Sequence, residues 1–232
     1  MSLKNVIVPK HVGIILDGNR RFAKRLMTMP WRGHEFGAGK IHDLLKYFKS
    51  YGVMELTLYA LSIDNINNRP KNELSMLFKI FRDELRTMSL KELKDGGISI
   101  RFVGNLIMLP DDIRLQCEKL EGDTSKNKPF IVNFAIAYGG REEIINAVKR
   151  IIVSKVKPSS INEKTFSNNL YLSHDPDLII RTGGEKRTSN FLPWQSTYSE
   201  WVFLDKMWPE FGKEDLKACI TEFSNRKRNF GK

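Results

Sequence analysis

Val12–Arg21 reads VGIILDGNRR, and this stretch decides the fold. Residues 12–16 are apolar apart from one glycine, a composition typical of a short strand that is buried on both faces. Asp17-Gly18-Asn19 then favours a turn, and Arg20 and Arg21 follow at once. Because ligands of open α/β sheets bind at the carboxyl ends of the strands, the stretch predicts a phosphate site in which Asp17 holds a divalent cation.

Outward from this stretch, apolar runs alternate with helical patterns along most of the chain. Further strands are predicted at Glu55–Leu61, Ile98–Val103, Phe130–Ile136, Asp177–Ile180 and Trp201–Leu204. Helices are predicted at Phe22–Arg25, Gly33–Gly52, Pro70–Lys94, Pro110–Leu120, Arg141–Val156, Asn162–Leu170 and Lys213–Arg226. The alternation indicates an α/β fold: a single domain over residues 1–232, with a mostly parallel β-sheet flanked by helices.

The longest predicted helix, Pro70–Lys94, carries a broad apolar stripe from Leu74 to Met88. Without further information, a stripe at helical spacing is most simply a core-facing surface. Two polar segments are predicted to lie outside regular structure. These are Ser62–Arg69, at a strand's carboxyl end, and Glu121–Lys128, which is expected to be a disordered tip.

Composition limits the classes of partner. The formal net charge of +11 over 232 residues favours polyanions, diphosphate-bearing ligands or an anionic membrane surface. No apolar run approaches the ~20 residues that a membrane span requires, and the N-terminus lacks the apolar segment of a signal peptide. Cys117 and Cys219 are too few for a disulfide framework or a zinc cluster. We therefore expect a cytoplasmic protein, and no zinc-finger, RRM or KH signature indicates nucleic acid as a partner.

Three polar segments at strand ends share one chemical character. They are Asp17–Arg21, the residues Ser62, Asp64, Asn65 and Arg69, and the run Arg181–Asn190. In a parallel sheet all three can meet at one edge. Guanidinium groups bind phosphate oxygens in pairs, and glycines allow backbone N–H groups to approach them. The sequence therefore predicts one diphosphate-binding site that three segments share.

Five motifs occur in order along the chain. They are HVGIILDGNRR at His11–Arg21, GH at Gly33–His34, LYALSIDNINNRP at Leu58–Pro70, AYGGR at Ala137–Arg141, and PDLIIRTGGEKRTSNFLPWQSTYSEWVF at Pro176–Phe203. With these motifs the chain resembles the cis-prenyltransferases, the undecaprenyl diphosphate synthase family. The resemblance extends from His11 to Gly231, nearly the whole chain.

The resemblance implies a homodimeric, Mg2+-dependent enzyme. Such an enzyme adds isopentenyl diphosphate repeatedly to an allylic primer, farnesyl or geranylgeranyl diphosphate, and leaves each new double bond cis. Its product is a long-chain Z-polyprenyl diphosphate, the precursor of a lipid carrier. Release of that product implies peripheral contact with a membrane. In this reading the Leu74–Met88 helix lines a hydrophobic tunnel for the growing tail.

Site residues follow from the same resemblance. Asp17 matches an essential aspartate that handles Mg2+ and diphosphate, Asn65 matches an asparagine that assists proton removal, and Glu200 matches a second magnesium-associated carboxylate. An amide is a poor base, so the alternative for Asn65 is positioning. The residues that match substrate-binding positions are Gly18, Asn19, Arg20, Arg21, Phe22 and His34 for the allylic diphosphate, Ser62, Ile63, Asp64 and Arg69 for further contacts, and Arg181, Arg187, Thr188 and Ser189 for isopentenyl diphosphate.

Some positions depart from the family pattern. The family often has glycine at Arg20, tryptophan at Phe22 and Ile66, and histidine at Lys186. Its C-terminal Arg-x-Gly motif, which reaches toward the partner subunit, is Asn229-Phe230-Gly231 here, with an arginine one position early. Two other functions are kept as alternatives: a non-catalytic subunit of the same family, and a basic phosphate- or nucleic-acid-binding protein.

Overall fold

Six parallel strands form one sheet in the computed structural model, which describes residues 6–226. The strands are β1 (His11–Ile15), β2 (Glu55–Ser62), β3 (Ile98–Val103), β4 (Phe130–Tyr138), β5 (Leu178–Arg181) and β6 (Glu200–Phe203). Their order is β3-β4-β2-β1-β5-β6, and every neighbouring pair is parallel. From β1 the chain adds β2, β3 and β4 on one side of that strand, and it then adds β5 and β6 on the other side. Such sheets bind ligands in the crevice where the strand order reverses, which here lies after β1 and β5.

Ten α-helices lie between and after the strands of the described part. They are α1 (Asn19–Arg25), α2 (Pro30–Gly39), α3 (Ile41–Tyr51), α4 (Ile63–Asn68), α5 (Lys71–Thr87), α6 (Leu90–Asp95), α7 (Asp111–Thr124), α8 (Gly140–Val153), α9 (Glu163–Ser167) and α10 (Lys213–Asn225). Over residues 6–226, none of them combines the length and the apolar character that crossing a bilayer demands.

The core lies on both faces of the sheet. All five residues of β1 are buried, as its apolar composition predicts. On one face, α3, α7 and α10 contribute side chains such as Phe48, Ile113 and Phe223. On the other face, a smaller cluster joins β1, β2 and β4 to the segments around Leu172 and Phe191. The predicted α/β fold with a parallel sheet is confirmed.

Three local predictions are wrong, each for a physical reason. Ser62–Arg69 is not a loop, because the Ser62 hydroxyl accepts a hydrogen bond from the Asn65 N–H at 3.0 Å and caps α4. The Pro70–Lys94 helix is divided, because residue 88 is extended and Ser89 caps a new helix, α6. The first half of the expected disordered tip belongs to α7, whose last turn places Thr124 against β3.

The Gly33–Gly52 helix is also divided, into α2 and α3. The first helix ends before Pro30, which is itself the first residue of α2, a position where its missing N–H costs nothing. Gly33 lies where α2 crosses α1, and a Cβ there would be 1.9 Å from the carbonyl oxygen of Asn19. Glycine is therefore required for the two helices to touch. The Asn229-Phe230-Gly231 motif lies outside the described residues.

Candidate active site

A cleft of about 1080 Å³ opens at the carboxyl edge of the sheet, and all three polar segments line it. The first comes from the end of β1, the second from β2 and α4, and the third from the end of β5. The cationic side chains that line it are Arg20, Arg21, Lys24, Arg69, Arg181 and Arg187. The cleft therefore concentrates positive charge where the sequence predicts a diphosphate.

Asp17 lies at the centre of this charge. Its Oδ2 accepts a hydrogen bond from Arg181 Nη2 at 2.8 Å. Its Oδ1 accepts from the N–H of Gly18 at 2.6 Å, and Arg21 Nη2 lies 3.4 Å away. The side chain keeps 28% of its surface exposed, so the carboxylate faces the cleft and remains open to a further ligand.

Arg181 connects the first segment to the third. Its side chain is only 3% exposed, and besides Asp17 it donates to the carbonyl of Arg187 and, at 2.7 Å, to Ser189 Oγ. Its Nε is buried without a hydrogen-bond partner. Arg181 thus fixes the positions of the Arg187–Ser189 loop and of Asp17 together, with most of its donors already engaged.

The sequence predicts that backbone N–H groups of the third segment approach phosphate, but two of them bind carbonyl groups of the protein instead. Gly183 has a φ of +87°, and a Cβ there would lie 2.8 Å from Arg21 Nη2. Its N–H donates to the carbonyl of Lys206, and the N–H of Gly184 donates to the carbonyl of Leu204. Gly183 therefore leaves room for Arg21, while the N–H groups of both glycines are unavailable to phosphate.

The second segment forms a buried cluster around Glu73. Arg69 Nη1 donates to Glu73 Oε1 at 2.6 Å and to His34 Nε2 at 3.2 Å, and Arg69 Nη2 donates to Asn65 Oδ1 at 3.0 Å. Arg20 Nε lies 3.5 Å from the same Glu73 oxygen. A single buried carboxylate therefore holds two arginines at the cleft.

His34 is neutral in this cluster. Burial lowers its pKa to about 3, and the charges of Arg69 and Arg20 act in the same direction. A guanidinium only donates, so His34 Nε2 accepts and the proton of the neutral ring is on Nδ1. The side chain adds no positive charge of its own near neutral pH.

The residues present fit a magnesium ion only if the substrate supplies ligands. Within residues 6–226 no three His, Cys, Asp or Glu side chains are placed to hold a metal. Asp17 is the carboxylate at the cleft centre, and Glu185, paired with Arg21 at 3.6 Å and Arg187 at 2.5 Å, lines the same cleft. One or two carboxylates completed by phosphate oxygens and water is the arrangement that Mg2+ ordinarily takes.

Glu200 is placed elsewhere. It is level with Leu178 in the β5–β6 register, whereas Arg181 is level with Phe203, so three residues, about 10 Å, separate it from the carboxyl edge. Its Oε2 accepts from Arg226 Nη1 at 2.7 Å. Within one chain, Glu200 therefore does not reach a metal bound at Asp17.

Most of the predicted site residues line the cleft. These are Asp17, Gly18, Asn19, Arg20, Arg21, His34, Ser62, Asp64, Asn65, Arg69, Arg181, Arg187 and Ser189. Besides Glu200, three others lie outside its lining. Phe22 packs edge-on against Phe36, the Ile63 side chain lies near Gly139, and the Thr188 carbonyl accepts from the N–H of Phe191.

Several cleft residues were not predicted. Lys24 lies one turn after Arg20 on α1 and lines the cleft. Glu185 lies inside the predicted Arg181–Asn190 segment and also lines the cleft, but no individual role was predicted for it. Glu73 was missed although it lies four residues after Arg69, the spacing at which a glutamate and an arginine meet on a helix. This four-residue spacing is the sequence signal from which the pairing of Glu73 with Arg69 could have been predicted.

A second, apolar cavity of about 120 Å³ adjoins the cleft. It lies between the sheet, α3 and α5, and its wall includes Leu77, Phe78, Phe81 and Leu85. The residues that line both spaces are Leu16, Asn19, His34, Ala60 and Leu61. A ligand with an anionic head and an apolar tail could occupy both.

Known proteins match the chain over nearly its whole length. Residues 15–231 match the sequence profile of the family described as "Putative undecaprenyl diphosphate synthase". The tritrans,polycis-undecaprenyl-diphosphate synthase (geranylgeranyl-diphosphate specific) of Methanopyrus kandleri is 46% identical over 238 residues, covering 100% of this chain and 88% of that protein. The isoprenyl transferase of Aquifex aeolicus is 42% identical, covering 100% and 98%.

A solved structure has the same fold as this chain. Lavandulyl diphosphate synthase from Lavandula x intermedia, crystallised with dimethylallyl diphosphate, superposes with a TM-score of 0.91 at 34% identity, covering 97% of this chain and 99% of that one. The long profile match, the identity to full-length relatives and the shared fold lead to one conclusion. The chain belongs to the undecaprenyl diphosphate synthase family of prenyltransferases.

Proposed function

We propose that this chain is a cis-polyprenyl diphosphate synthase that condenses isopentenyl diphosphate with an allylic diphosphate. The observation that carries the proposal is the shared wall between the cationic cleft and the apolar cavity. A prenyl diphosphate has a head suited to the first space and a tail suited to the second. The relatives named as polyprenyl diphosphate synthases support the same assignment.

The two diphosphates occupy different parts of the cleft in this proposal. The allylic head lies near Arg20, Arg21 and His34, since His34 and Asn19, the residue before Arg20, line both the cleft and the apolar cavity. Isopentenyl diphosphate lies near Arg187 and Ser189, on the loop that Arg181 holds in place. At an effective dielectric near 20, one charge pair at ~4 Å is worth about 4 kcal/mol before desolvation, so several arginines can hold two diphosphates.

The reaction requires the allylic carbon–oxygen bond to break with its electron pair leaving on the diphosphate. Fixed cations around that diphosphate stabilise the charge as it develops. The double bond of isopentenyl diphosphate then forms the new carbon–carbon bond, and a proton is lost. Mg2+, held by Asp17 and diphosphate oxygens, would supply further positive charge to the leaving group.

Asn65 has a positioning role in this proposal. Its Oδ1 accepts from Arg69, so the amide oxygen is engaged with a cation. The amide NH2 group remains as a donor at the cleft, where it can orient a phosphate oxygen or a water. This arrangement supports the alternative to proton removal by Asn65 itself.

Geranylgeranyl diphosphate is the primer that we propose. Relatives from Methanopyrus kandleri and Pyrococcus horikoshii are named as specific for it. The tail would enter the cavity along α5, which we propose as the lining of a product tunnel that widens as the chain grows. The product, a long-chain Z-polyprenyl diphosphate, would be transferred to a membrane that the cytoplasmic enzyme contacts peripherally.

The enzyme works as a homodimer in this proposal. An apolar stripe on α8, formed by Ile145, Val148, Ile152 and Val153, is exposed in the single chain, and Val153 is 80% exposed. Covering this stripe with a second copy would remove it from water. Light scattering after size-exclusion chromatography tests the assembly, and a monomer at micromolar concentration would contradict it.

One assay tests the proposed function. The chain is incubated with Mg2+, labelled isopentenyl diphosphate and either farnesyl or geranylgeranyl diphosphate, and products are separated by chromatography. We expect long polycis products, more from the geranylgeranyl primer, and none after chelation of the metal. No elongation would contradict an enzymatic role and favour the non-catalytic subunit. If salt-sensitive RNA binding accompanied that result, a basic nucleic-acid-binding protein would be favoured.

A further inference from the structure

Two glycines of the AYGGR motif lie against residues 190–193, where the third polar segment ends. Gly139 precedes α8, and Gly140 is the first residue of that helix. A Cβ at Gly140 would overlap the ring of Pro193. A Cβ at Gly139 would be 3.2 Å from Asn190 Nδ2, tighter than an ordinary contact. The two glycines therefore let the third segment pack directly on the amino end of α8.

Asn190 makes the hydrogen bonds between the two segments. Its backbone carbonyl accepts from the N–H of Gly140, and its side-chain Oδ1 accepts from the N–H of Arg141, both at 2.9 Å. These N–H groups belong to the first turn of α8, where a helix leaves its N–H groups without partners of its own. Gly139, the residue before the helix, has no side chain that could cap it. Asn190 therefore caps α8 from a position 49 residues after Arg141.

The backbone around Asn190 requires such support. Ser189, Asn190 and Leu192 have φ values of +49°, +62° and +48°, in the left-handed region that residues other than glycine seldom adopt. Asparagine tolerates this region better than most residues. A loop with three such residues persists only where contacts on several sides hold it. Arg181 provides one contact, at Ser189 Oγ, and Asn190 provides a second, at α8.

We propose that Asn190 is a positioning residue that holds the isopentenyl diphosphate site on the amino end of α8. The inference rests on the proposed function, in which Arg187 and Ser189 bind the head of that substrate. Asn190 follows Ser189 directly and lines the cleft, but both of its oxygens are engaged with α8. Loss of the side-chain bond would release Ser189 and Arg187 from their places. The allylic site, on the first two polar segments, would stay intact.

Three substitutions separate the bond to α8 from backbone conformation and from contact with substrate. Asn190→Gly keeps the left-handed backbone and loses the acceptor, and Asn190→Ala loses the acceptor in a residue that tolerates this backbone poorly. Asn190→Asp keeps the acceptor, and its charge is favourable at the amino end of a helix. Steady-state assays measure the Michaelis constants for both substrates.

The expected results differ between the two substrates. We expect Asn190→Gly and Asn190→Ala to raise the Michaelis constant for isopentenyl diphosphate by about 10-fold, the size of one lost hydrogen bond, and to leave that for the primer nearly unchanged. Asn190→Asp should stay close to the wild type. Gly140→Ala, which pushes the loop away from the side of α8, should raise the same constant as Asn190→Gly.

Asn162→Ala is the matched control. Asn162 Oδ1 accepts from the N–H of Thr165 at 2.9 Å and caps α9, so this variant loses the same kind of bond away from the cleft. An unchanged constant for isopentenyl diphosphate in Asn190→Gly, an equal rise for the primer, or an equal rise in Asn162→Ala would overturn the proposal.

The remaining outcomes are also decisive. A rise in Asn190→Asp as large as in Asn190→Gly would overturn the proposal, because the amide NH2 group would then act on the substrate directly. Circular dichroism identifies a variant that does not fold, and if Asn190→Ala fails in this way, Asn190→Gly and Gly140→Ala decide by the same criterion. Absence of elongation by the wild type is a separate result, which would contradict the proposed function itself.

Discussion

Two carboxylates near the carboxyl edge of the sheet have opposite surroundings. Asp17 follows β1, keeps 28% of its surface exposed and is faced by the guanidinium groups of Arg181 and Arg21. Glu143, in the first turns of α8 after β4, is 1% exposed. It accepts from the Tyr138 hydroxyl at 2.5 Å, from the N–H groups of Tyr171 and Leu172, and from the Gln195 amide, all of them neutral donors.

Under the proposed function, the difference separates a carboxylate that binds a ligand from a carboxylate that stabilises the fold. Burial raises the pKa of the Glu143 carboxyl, and its hydrogen bonds oppose that rise. Every oxygen of Glu143 is engaged by its own chain, so it has nothing left for a ligand. Asp17 stands in an excess of cations, on the surface of a cleft, where an anionic substrate and a metal ion can join it.

The largest effect is expected at Asp17. Asp17→Asn keeps an oxygen that can accept from Arg181 but removes the negative charge, so we expect the turnover number to fall by about 100- to 1000-fold. Steady-state assays measure this loss, and circular dichroism checks that the fold is unchanged. The matched control is Asp43→Asn, which removes the same charge from an exposed side chain that does not line the cleft. Activity close to wild type in Asp17→Asn would contradict the role assigned to Asp17.

Glu143 should show the reverse pattern. Glu143→Ala leaves buried donors on Tyr138, Gln195 and the backbone without an acceptor, and we expect the free energy of unfolding to fall by about 3 kcal/mol. Urea unfolding measures that change. At a temperature where the variant is folded, kcat/KM should change far less than in Asp17→Asn. A stable but inactive variant would place Glu143 with the catalytic groups and remove the distinction.

Arg187 tests the role of the positive charges that surround Asp17 in the cleft. Its side chain is 62% exposed and pairs with Glu185, so it can turn to a ligand. We expect Arg187→Ala to raise the Michaelis constant for isopentenyl diphosphate by about 10-fold, equivalent to about 1.4 kcal/mol, and to leave that for the primer nearly unchanged. Lys186→Ala is the neighbouring control. A raised constant for the primer alone would reverse the two binding sites.

The last effect concerns His34, acts on stability and not on activity, and is spread over several pH units. Its pKa of about 3 in the folded chain is below the ordinary value near 6.5, so acid protonates the unfolded chain first. The stability that neutral His34 contributes is complete above pH 6.5 and is lost as pH falls toward 3, at up to about 1.4 kcal/mol per pH unit. Urea unfolding at several pH values should show a shallower slope for His34→Gln than for the wild type. Equal slopes would contradict the buried, neutral state.

Much of the fold and of the cleft could be predicted because the signals are local. An apolar run that ends in Asp17-Gly18-Asn19 indicates a strand and a turn without knowledge of the rest of the chain. The meeting of the three polar segments then follows from the parallel sheet alone. Ser62 shows the limit, since its hydroxyl converts a polar segment into α4 by a single cap.

What could not be predicted depends on contacts between distant segments. Glu143 reads as an ordinary helix residue, and only the packing of Tyr171 and Gln195 onto it makes it a buried acceptor. Glu200 was carried over by resemblance as a metal ligand, and the β5–β6 register separates it from Asp17 within one chain. Register and burial are properties of the assembled sheet, so a sequence pattern does not contain them.

The contact of Gly33 with the Asn19 carbonyl also has a consequence for a ligand with an anionic head and an apolar tail. Asn19 lines both the cleft and the cavity, and α2 reaches it without a side chain in between. A methyl group at residue 33 would act as a wedge between α1 and α2. Water could then enter the apolar cavity from the charged cleft. The boundary between the two spaces, which an amphiphilic ligand needs in order to bind by its head and its tail at once, would be lost.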